Sequence, residues 1–295
     1  NVLSFYHWDI RQVYKRALWT ELLVDAGIHS GGELHHIKEF RRLLRHGLLA
    51  CTSSSYLRFV QRLAGQMKDP PVNEEDGMWR MLYYDLFDDA PGDAEQARKR
   101  IVRLMEGSQL RHEVVELIDA QMNRLDAPER PIEFPFDCPL KLHARYTRSQ
   151  ILAGLNISTW GQPSSNREGV AINKEYNVEA LFVTLQKSTD IFSPTTMYED
   201  FALSDVLFHW QSQNSTAPET PKGRSYIQHK SQGKTILLFV REQNTDQFGH
   251  TMSYVFLGDA SLHAWRGAKP MSIEWKLKEP IPAYILSASK KLDTD

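Results

Sequence analysis

The sequence lacks several features that would assign it to a class at once. It has two cysteines, Cys51 and Cys138, too few for a disulfide framework or a four-cysteine zinc site. No apolar run approaches the roughly 18 residues that a membrane-spanning helix needs. The net charge of −2 lacks the positive excess of a protein that coats nucleic acid. These absences exclude a membrane span and a disulfide scaffold, and we expect a protein of the reducing cytoplasm.

The 295 residues are 41% hydrophobic and 24% charged, a globular balance with room for about two domains. The chain begins at Asn1 rather than methionine and has no signal-peptide pattern, so we expect a fragment of a longer protein.

The first part of the chain has the periodicity of helices. Apolar residues recur every three or four positions in 18–24, 37–49, 56–63, 78–87, 97–105 and 111–125. Asp93 with Gln96 is a helix-capping pattern, and the prolines at 128 and 131 mark a boundary. The sequence therefore predicts a helical connector domain over residues 1–130.

The second part has the character of strands. Residues 178–186, 235–242, 252–257 and 271–277 are rich in β-branched and aromatic side chains. One helix follows the capping pair Thr147 and Gln150, and a short second helix is predicted over 198–208. The predicted fold class is α+β, an all-α segment followed by a mixed β-rich domain over residues 134–295.

Several catalytic patterns are incomplete. Gly233-Lys234-Thr235 resembles the end of a phosphate-binding loop but precedes a strand, so we interpret Lys234 as a turn lysine. Glu179 alone is a weak start for a metal-dependent nuclease. Neither a zinc spacing nor a Gly-x-Ser-x-Gly elbow occurs. We predict no catalytic residue, metal or cofactor within this fragment.

Four polar-aromatic clusters indicate a binding surface. They are residues 140–148, which surround a helix start that favours anions, the hydroxyl-rich turn 192–200, the run Phe-His-Trp-Gln-Ser-Gln at 208–213, and residues 224–229 together with Arg241. Each residue also has a structural interpretation, since Trp210 and Tyr226 suit a core and the hydroxyls suit a helix cap. Because so many polar groups among strands are costly to bury, we interpret the clusters together as lining a site.

These clusters also carry a family resemblance. The strings LKLHARYTRSQILAGL, NREGV, LFVTLQKS, FSPTTMYEDFALSDVLFHWQSQ, GRSYIQHKSQGKTILLFVRE, YVFLGDA and KPMSIEWKLKEPIP occur in order. They resemble an uncharacterised domain at the C-terminus of bacterial superfamily 2 DNA helicases, many of which carry a phospholipase D-like nuclease domain. In the helical part, YKRALWTELLVDAG and MWRMLYYDLF are similar to the segment that joins the helicase motor to this domain.

The resemblance implies a role in bacterial DNA metabolism, with defence against foreign DNA as the expected setting. It implies DNA and the helicase and nuclease domains of the parent chain as partners, and ATP with Mg²⁺ for the parent. It implies no catalytic residues. His36-Ile-Lys38 has the letters of the nuclease motif but lies in a helical pattern, and we interpret it as surface.

Three functions remain open at this point. The first is a DNA-recognition module, by fold analogy a barrel of the PUA or SRA kind that reads a DNA structure or a modified or flipped base. The second is a nuclease whose site uses His143, Asp200, His209 and His229. The third is a non-catalytic scaffold or oligomerisation module, and the sequence does not define the oligomeric state.

The recognition hypothesis assigns roles to individual residues. Arg145, Arg148, Lys187 and Arg241 would neutralise phosphates, Tyr146, Trp160, Tyr198 and Trp210 would stack, and His209, Gln211 and Gln213 would contact base edges. The further predicted DNA-binding residues are His143, Ser193, Thr195, Thr196, Arg224, Tyr226 and His229.

Overall fold

A computed structural model describes residues 9–29, 34–65, 76–125, 129–134, 136–186 and 200–290. The chain separates into two compact units. Unit 1 comprises Asn1–Ser165 and Thr245–Ser253, and unit 2 comprises Asn166–Asn244 and Tyr254–Asp295. This division falls after Ser165, while the domain boundary at 130–134 stays a prediction.

Unit 1 is built from helices, which confirms the helical first part. They are α1 (Ile10–Arg16), α2 (Trp19–Asp25), α3 (Ile37–Arg42), a π-helix (Leu43–Leu48), α4 (Ser54–Ala64), α5 (Asp76–Leu86), α6 (Ala94–Glu106), α7 (Arg111–Met122) and α8 (Arg148–Gly154). A two-residue strand, β1 (Arg145–Tyr146), precedes α8.

The predicted caps explain where two of these helices begin. The Asp93 carboxylate accepts the backbone N–H of Gln96 at 2.8 Å. The Thr147 hydroxyl accepts the N–H of Gln150 at 3.2 Å, and the Gln150 side chain accepts the N–H of Thr147 at 2.9 Å. These bonds satisfy backbone donors that the first helical turn leaves free.

The π-helix places a glycine against a buried carboxylate. A Cβ at Gly47 would lie 2.7 Å from Asp85 Oδ2, so only glycine fits. That Asp85 oxygen accepts hydrogen bonds from the Tyr56 hydroxyl and the Gln150 side-chain amide, both at 2.7 Å. Burial raises the pKa of Asp85 to about 6, although these two hydrogen bonds oppose the shift. Four elements thus meet at one titratable group.

Unit 2 is a mixed β-sheet with two short helices, which confirms the β-rich second part. Its strands are β2 (Val170–Asn173), β3 (Val178–Gln186), β4 (Phe201–Ala202), β5 (Leu207–Gln211), β6 (Thr235–Gln243), β7 (Tyr254–Arg266) and β8 (Ser272–Leu277). Its helices are α9 (Pro221–Ile227) and α10 (Ala283–Lys290). The strand order is β2-β3-β6-β7-β8-β5-β4, in which β3 and β6 are parallel and the other neighbours antiparallel.

One face of this sheet carries the core of unit 2. Leu181, Leu238 and Ile273 are fully buried there, together with Tyr226 of α9 and Ile285 of α10. Along β8, Ile273, Trp275 and Leu277 are buried while Ser272, Glu274 and Lys276 are more accessible. The alternation that the sequence predicted for this strand is confirmed.

The helix predicted over residues 198–208 is wrong for its described part. Residues 201–202 and 207–211 are strands β4 and β5, joined by a turn. The Ser204 hydroxyl accepts the backbone N–H groups of Val206 and Leu207, and Leu203 N–H pairs with the carbonyl of Leu207 at 2.8 Å. A local serine turn therefore captures the donors that a helix would have used.

None of the helices in the described ranges is both long enough and apolar enough to cross a membrane.

Candidate nucleic-acid interface

One concentration of positive charge in unit 1 lies on α3 and the π-helix. Lys38, Arg41, Arg42 and Arg45 recur at three- and four-residue steps, which places them along one side of the helical run. Arg41 donates to the Glu21 carboxylate, and Arg42 donates to the carbonyl of Tyr84 at 3.0 Å. These contacts hold the guanidinium groups in place at the surface.

These cations line a cavity of about 510 Å³ that we call the basic groove. Its polar lining comprises Lys38, Arg41, Arg42, Arg45, His46, Asp85, Asp88, Thr147 and Ser149. Four permanent positive charges therefore line the groove, of which Arg41 is ion-paired with Glu21 and Arg42 with Asp88 at 3.4 Å. Asp85 takes part in buried hydrogen bonds.

A second cavity of about 350 Å³, which we call the arginine pocket, shares Arg45 with the basic groove. Its charged lining comprises Arg11, Arg45, Arg124, Arg145 and Asp246, and His250, Thr52, Gln121 and Ser253 complete its polar wall. All of these residues belong to unit 1. Because both cavities include Arg45, they form one positively lined surface of unit 1.

His46 also lies at this surface. Desolvation lowers the pKa of His46, and the charges of Arg45 and His250 act in the same direction.

The structure places the predicted residues of unit 1 in different environments. Arg145 lines the arginine pocket, where its backbone N–H donates to the Thr52 hydroxyl at 2.8 Å. Arg148 is half-buried at the first position of α8, and His143 is half-buried with a left-handed backbone at φ 65°. Arg145 is thus the predicted phosphate ligand that the fold brings into a cavity with other arginines.

Two predicted stacking residues of unit 1 have structural partners instead. Tyr146 is fully buried, and its hydroxyl accepts the backbone N–H of Lys141 at 2.8 Å. Trp160 donates its indole N–H to the Asp76 carboxylate at 3.2 Å and packs against Arg80. In this position Tyr146 cannot stack on a base, and the indole N–H of Trp160 is already hydrogen-bonded within the protein.

In unit 2, strand alternation separates two neighbouring predicted residues. Trp210 pairs with Ile273 and faces the core, where its ring lies 5.3 Å from that of Tyr226. His209 pairs with Glu274 on the opposite face and stacks on Phe201 at 4.8 Å. The roles predicted for Trp210 and Tyr226 as DNA contacts are therefore corrected, because both rings are core residues.

The core face also contains His229. Its exposed fraction is 3%, its ring lies 5.5 Å from that of Trp275, and burial lowers its pKa. His209 and His229 lie on opposite faces of one sheet, so they cannot serve the common nuclease site that the sequence left open.

The remaining described residues of the prediction range from exposed to largely buried. Gln211 and Gln213 are half-exposed, and Arg224 is exposed on α9. Arg241 donates to the Thr184 hydroxyl at 2.9 Å and lies over the ring of Tyr254, while burial lowers its pKa. The predicted residues Lys187, Ser193, Thr195, Thr196 and Tyr198 lie outside the described ranges.

A buried carboxylate in unit 2 explains the lysine of Gly233-Lys234-Thr235, the sequence that resembles a phosphate-binding loop. The Glu179 carboxylate is fully buried and accepts hydrogen bonds from Lys222 at 2.8 Å and Lys234 at 2.9 Å. Burial opposes ionisation, but the two lysines hold the pKa of Glu179 below its ordinary value. Lys234 therefore neutralises a buried carboxylate, which agrees with its interpretation as a structural lysine and not a phosphate-binding one.

Sequence reasoning missed most of the basic surface, namely Arg11, Lys38, Arg41, Arg42, Arg45 and Arg124. Charge balance hid them, because the acidic residues of the same helical part offset their total. The run FRRLLRH at 40–46, with basic residues on one helical side, was the signal that could have identified Arg41, Arg42 and Arg45.

Within the described residues, no group of three or more His, Cys, Asp or Glu side chains is arranged to hold a metal ion.

Comparison with known proteins places the chain in a family. The family described as "Domain of unknown function (DUF3427)" matches residues 140–288. No curated protein matches the chain.

Three solved structures are similar at low TM-scores. SUVH6 of Arabidopsis thaliana in complex with SAM is 13% identical with a TM-score of 0.33, and the match covers 82% of this chain and 42% of that one. A second form of SUVH6 is 9% identical with a TM-score of 0.32, covering 79% and 41%. The DNA recognition domain of the cytosine modification-dependent restriction endonuclease LpnPI is 10% identical with a TM-score of 0.28, covering 52% and 76%.

The matched region therefore spans less than half of the SUVH6 chain, and TM-scores this low carry no assignment of fold or function. The family match, in contrast, covers half of the chain. Over residues 140–288 this protein belongs to the family described as a domain of unknown function, DUF3427.

Proposed function

We propose that this chain binds DNA through phosphate contacts on unit 1. The observation that carries the proposal is the sharing of Arg45 by two cavities whose linings are rich in arginine. Arginine forks match the geometry of phosphate oxygens, and phosphate contacts supply most of the affinity of proteins for DNA. A nearly neutral chain with a local basic surface suits a recognition module rather than a protein that coats DNA.

The finer parts of the proposal rest on the sequence. The resemblance to helicase C-termini supports a helicase and nuclease parent that acts in defence against foreign DNA. We infer that unit 2 is a barrel of the PUA or SRA kind that reads DNA structure or modification. Among the predicted edge readers, Gln211 and Gln213 are half-exposed, and we propose that these two contact a base.

The test is a gel shift of the whole chain against duplex, single-stranded and modified DNA at low salt. Binding to at least one of these supports the proposal, and the absence of binding to all of them contradicts it. Dimers in light scattering without DNA retention would instead favour the scaffold alternative. Metal-dependent cutting that Asp200→Ala abolishes would favour the nuclease alternative.

We expect Arg45→Glu to weaken DNA binding at least tenfold, alike for all base sequences, because Arg45 faces both cavities and phosphates carry no sequence information. The matched control is Arg103→Glu, the same change of charge at an exposed position of α6 outside both cavities. It should change the affinity less than twofold in fluorescence anisotropy.

Arg45 also donates to the carbonyl of Lys15 at 2.7 Å, so Arg45→Glu can disturb the fold. Lys38→Glu repeats the test at an exposed residue that lines the basic groove. If both variants have the same unfolding midpoint and the same DNA affinity as the unmodified protein, the basic groove is not the interface.

A further inference from the structure

Five segments of chain converge on the arginine pocket, which we call a socket because it is walled on several sides and partly open to solvent. They are the start of α1, the stretch from Arg45 to Thr52, the end of α7, strand β1 and the segment from Asp246 to Ser253. At about 350 Å³ the cavity is large enough for a small polar group of a ligand.

Part of the charge in this socket is already neutralised. Arg11 makes a bidentate contact with Asp9, at 3.0 Å from Nε to Oδ1 and 2.7 Å from Nη2 to Oδ2. Its third nitrogen donates to Asp246 at 3.3 Å. Arg11 therefore forms a wall of the socket, and Arg45, Arg124 and Arg145 are the other cations of its lining, with Nη1 of Arg145 donating to the carbonyl of Ser253 at 3.5 Å.

The neutral polar groups of the wall are also engaged by the protein. The Gln121 amide donates to the carbonyl of Leu49 at 3.0 Å, and the Ser253 hydroxyl donates to that of Ala50 at 2.6 Å. The His250 ring donates to the carbonyl of Arg11 at 2.7 Å. What the socket offers a ligand is therefore cationic.

Arg45 adds a donor that points to an anion. Its Nη2 reaches the carbonyl of Lys15, but its Nε is buried without a hydrogen-bond partner among the described residues. A buried donor of this kind is costly to leave unpaired, and an anionic oxygen would satisfy it.

The charge of the socket selects among phosphates. An internal phosphodiester of DNA carries one negative charge, whereas a phosphate monoester carries about −1.5 to −2 at neutral pH. Three guanidinium groups in the lining of one cavity fit the more highly charged group. A socket walled by five segments also suits the end of a strand better than a chain that continues in both directions.

We propose that the arginine pocket takes the terminal phosphate of a DNA strand whose backbone follows the adjoining basic groove. The inference rests on the proposed function, because it assumes that DNA is the ligand. It adds the substrate class, a phosphorylated strand end, and three ligands, Arg45, Arg124 and Arg145.

The experiment compares DNA hairpins that are identical except for a 5′-phosphate, a 3′-phosphate or hydroxyl ends. We expect one phosphorylated end to bind at least fivefold more tightly than the hydroxyl end in fluorescence anisotropy. Arg124→Glu and Arg145→Gln should each reduce this preference to less than twofold. Arg124 is exposed, and its backbone N–H donates to the carbonyl of Gln121 at 2.9 Å whatever its side chain, so its variant keeps the test valid if Arg145→Gln unfolds.

Two controls follow. One separates the basic groove from the arginine pocket, and the other separates a strand end from a free nucleotide. Lys38→Glu should weaken the binding of all hairpins alike and leave the preference unchanged. A free nucleoside 5′-monophosphate that binds as tightly as the phosphorylated hairpin would overturn the assignment to a strand end. Equal binding of all hairpins would overturn the inference alone, whereas no binding of any hairpin would contradict the proposed function as well.

Discussion

Glu179→Gln is expected to lower the free energy of unfolding by about 3–5 kcal/mol, because it leaves two lysines around a buried site without their counter-charge. The carboxylate of Glu179 is fully buried, and the side chain of Lys234 is only 12% exposed. Lys234 also donates to the Ser225 hydroxyl, which restrains it from turning to solvent. Urea denaturation at pH 7 measures the change.

The matched control for this prediction is Glu175→Gln in the exposed turn before β3, which should change stability by less than about 0.5 kcal/mol. A double variant, Glu179→Gln with Lys234→Met, should recover part of the loss, because it removes one of the stranded charges. A loss below about 1 kcal/mol for Glu179→Gln would show that the buried ion pairs contribute little.

The pH dependence of Glu179 follows from its lowered pKa. A carboxyl whose folded pKa lies below its unfolded value contributes stability above the unfolded value, and this contribution is lost as the pH falls through the folded pKa. Unit 2 should therefore lose the contribution of Glu179 in acid, below its ordinary pKa of 4.5.

Asp85 in unit 1 should show the opposite pH dependence of stability, which Asp85→Asn tests. The pKa of Asp85 rises from 3.8 to about 6 on burial, so its contribution to stability is full below about 4 and is lost as the pH rises through about 6. Asparagine keeps an acceptor oxygen for Tyr56 or Gln150 and carries no charge to desolvate. The free energy of unfolding of the variant, measured relative to that of the unmodified protein, should therefore rise by roughly 3 kcal/mol between pH 4 and pH 7.

Urea denaturation of both proteins across this pH range measures that difference. Asp88→Asn is the control, since it makes the same change at a side chain that is 76% exposed. A difference between Asp85→Asn and the parent chain that stays constant across the range would contradict the raised pKa of Asp85.

Local patterns predicted most of the elements of the fold. The helices of unit 1 follow from apolar periodicity, and the caps at Asp93 and Thr147 follow from hydrogen bonds within four residues of chain. The segment 198–208 shows the limit of such patterns, because its periodicity also fits two short strands joined by the turn at Ser204. The π-helix depends on the fit of Gly47 against Asp85, a contact remote in sequence.

The candidate site was harder to predict because it too depends on contacts between residues that are distant in sequence. Adjacent residues on a strand face opposite sides, and only the register of β5 against β8 assigns Trp210 to the core and His209 to the other face. Likewise, Arg145 was identified from a helix start, but its neighbours Arg11 and Arg124 come from distant helices. Tertiary structure alone brings these charges together.

The central claim is that unit 1 contacts DNA phosphates, and the salt dependence of binding tests it most directly. Each phosphate that a cation neutralises contributes about −0.9 to the slope of log K against log salt. For the whole chain we predict a slope of about −3 or steeper, and for the double variant Lys38→Gln with Arg45→Gln a slope shallower by about 1.8. A slope near zero, or a slope that the double variant leaves unchanged, would contradict the assignment of DNA binding to this surface.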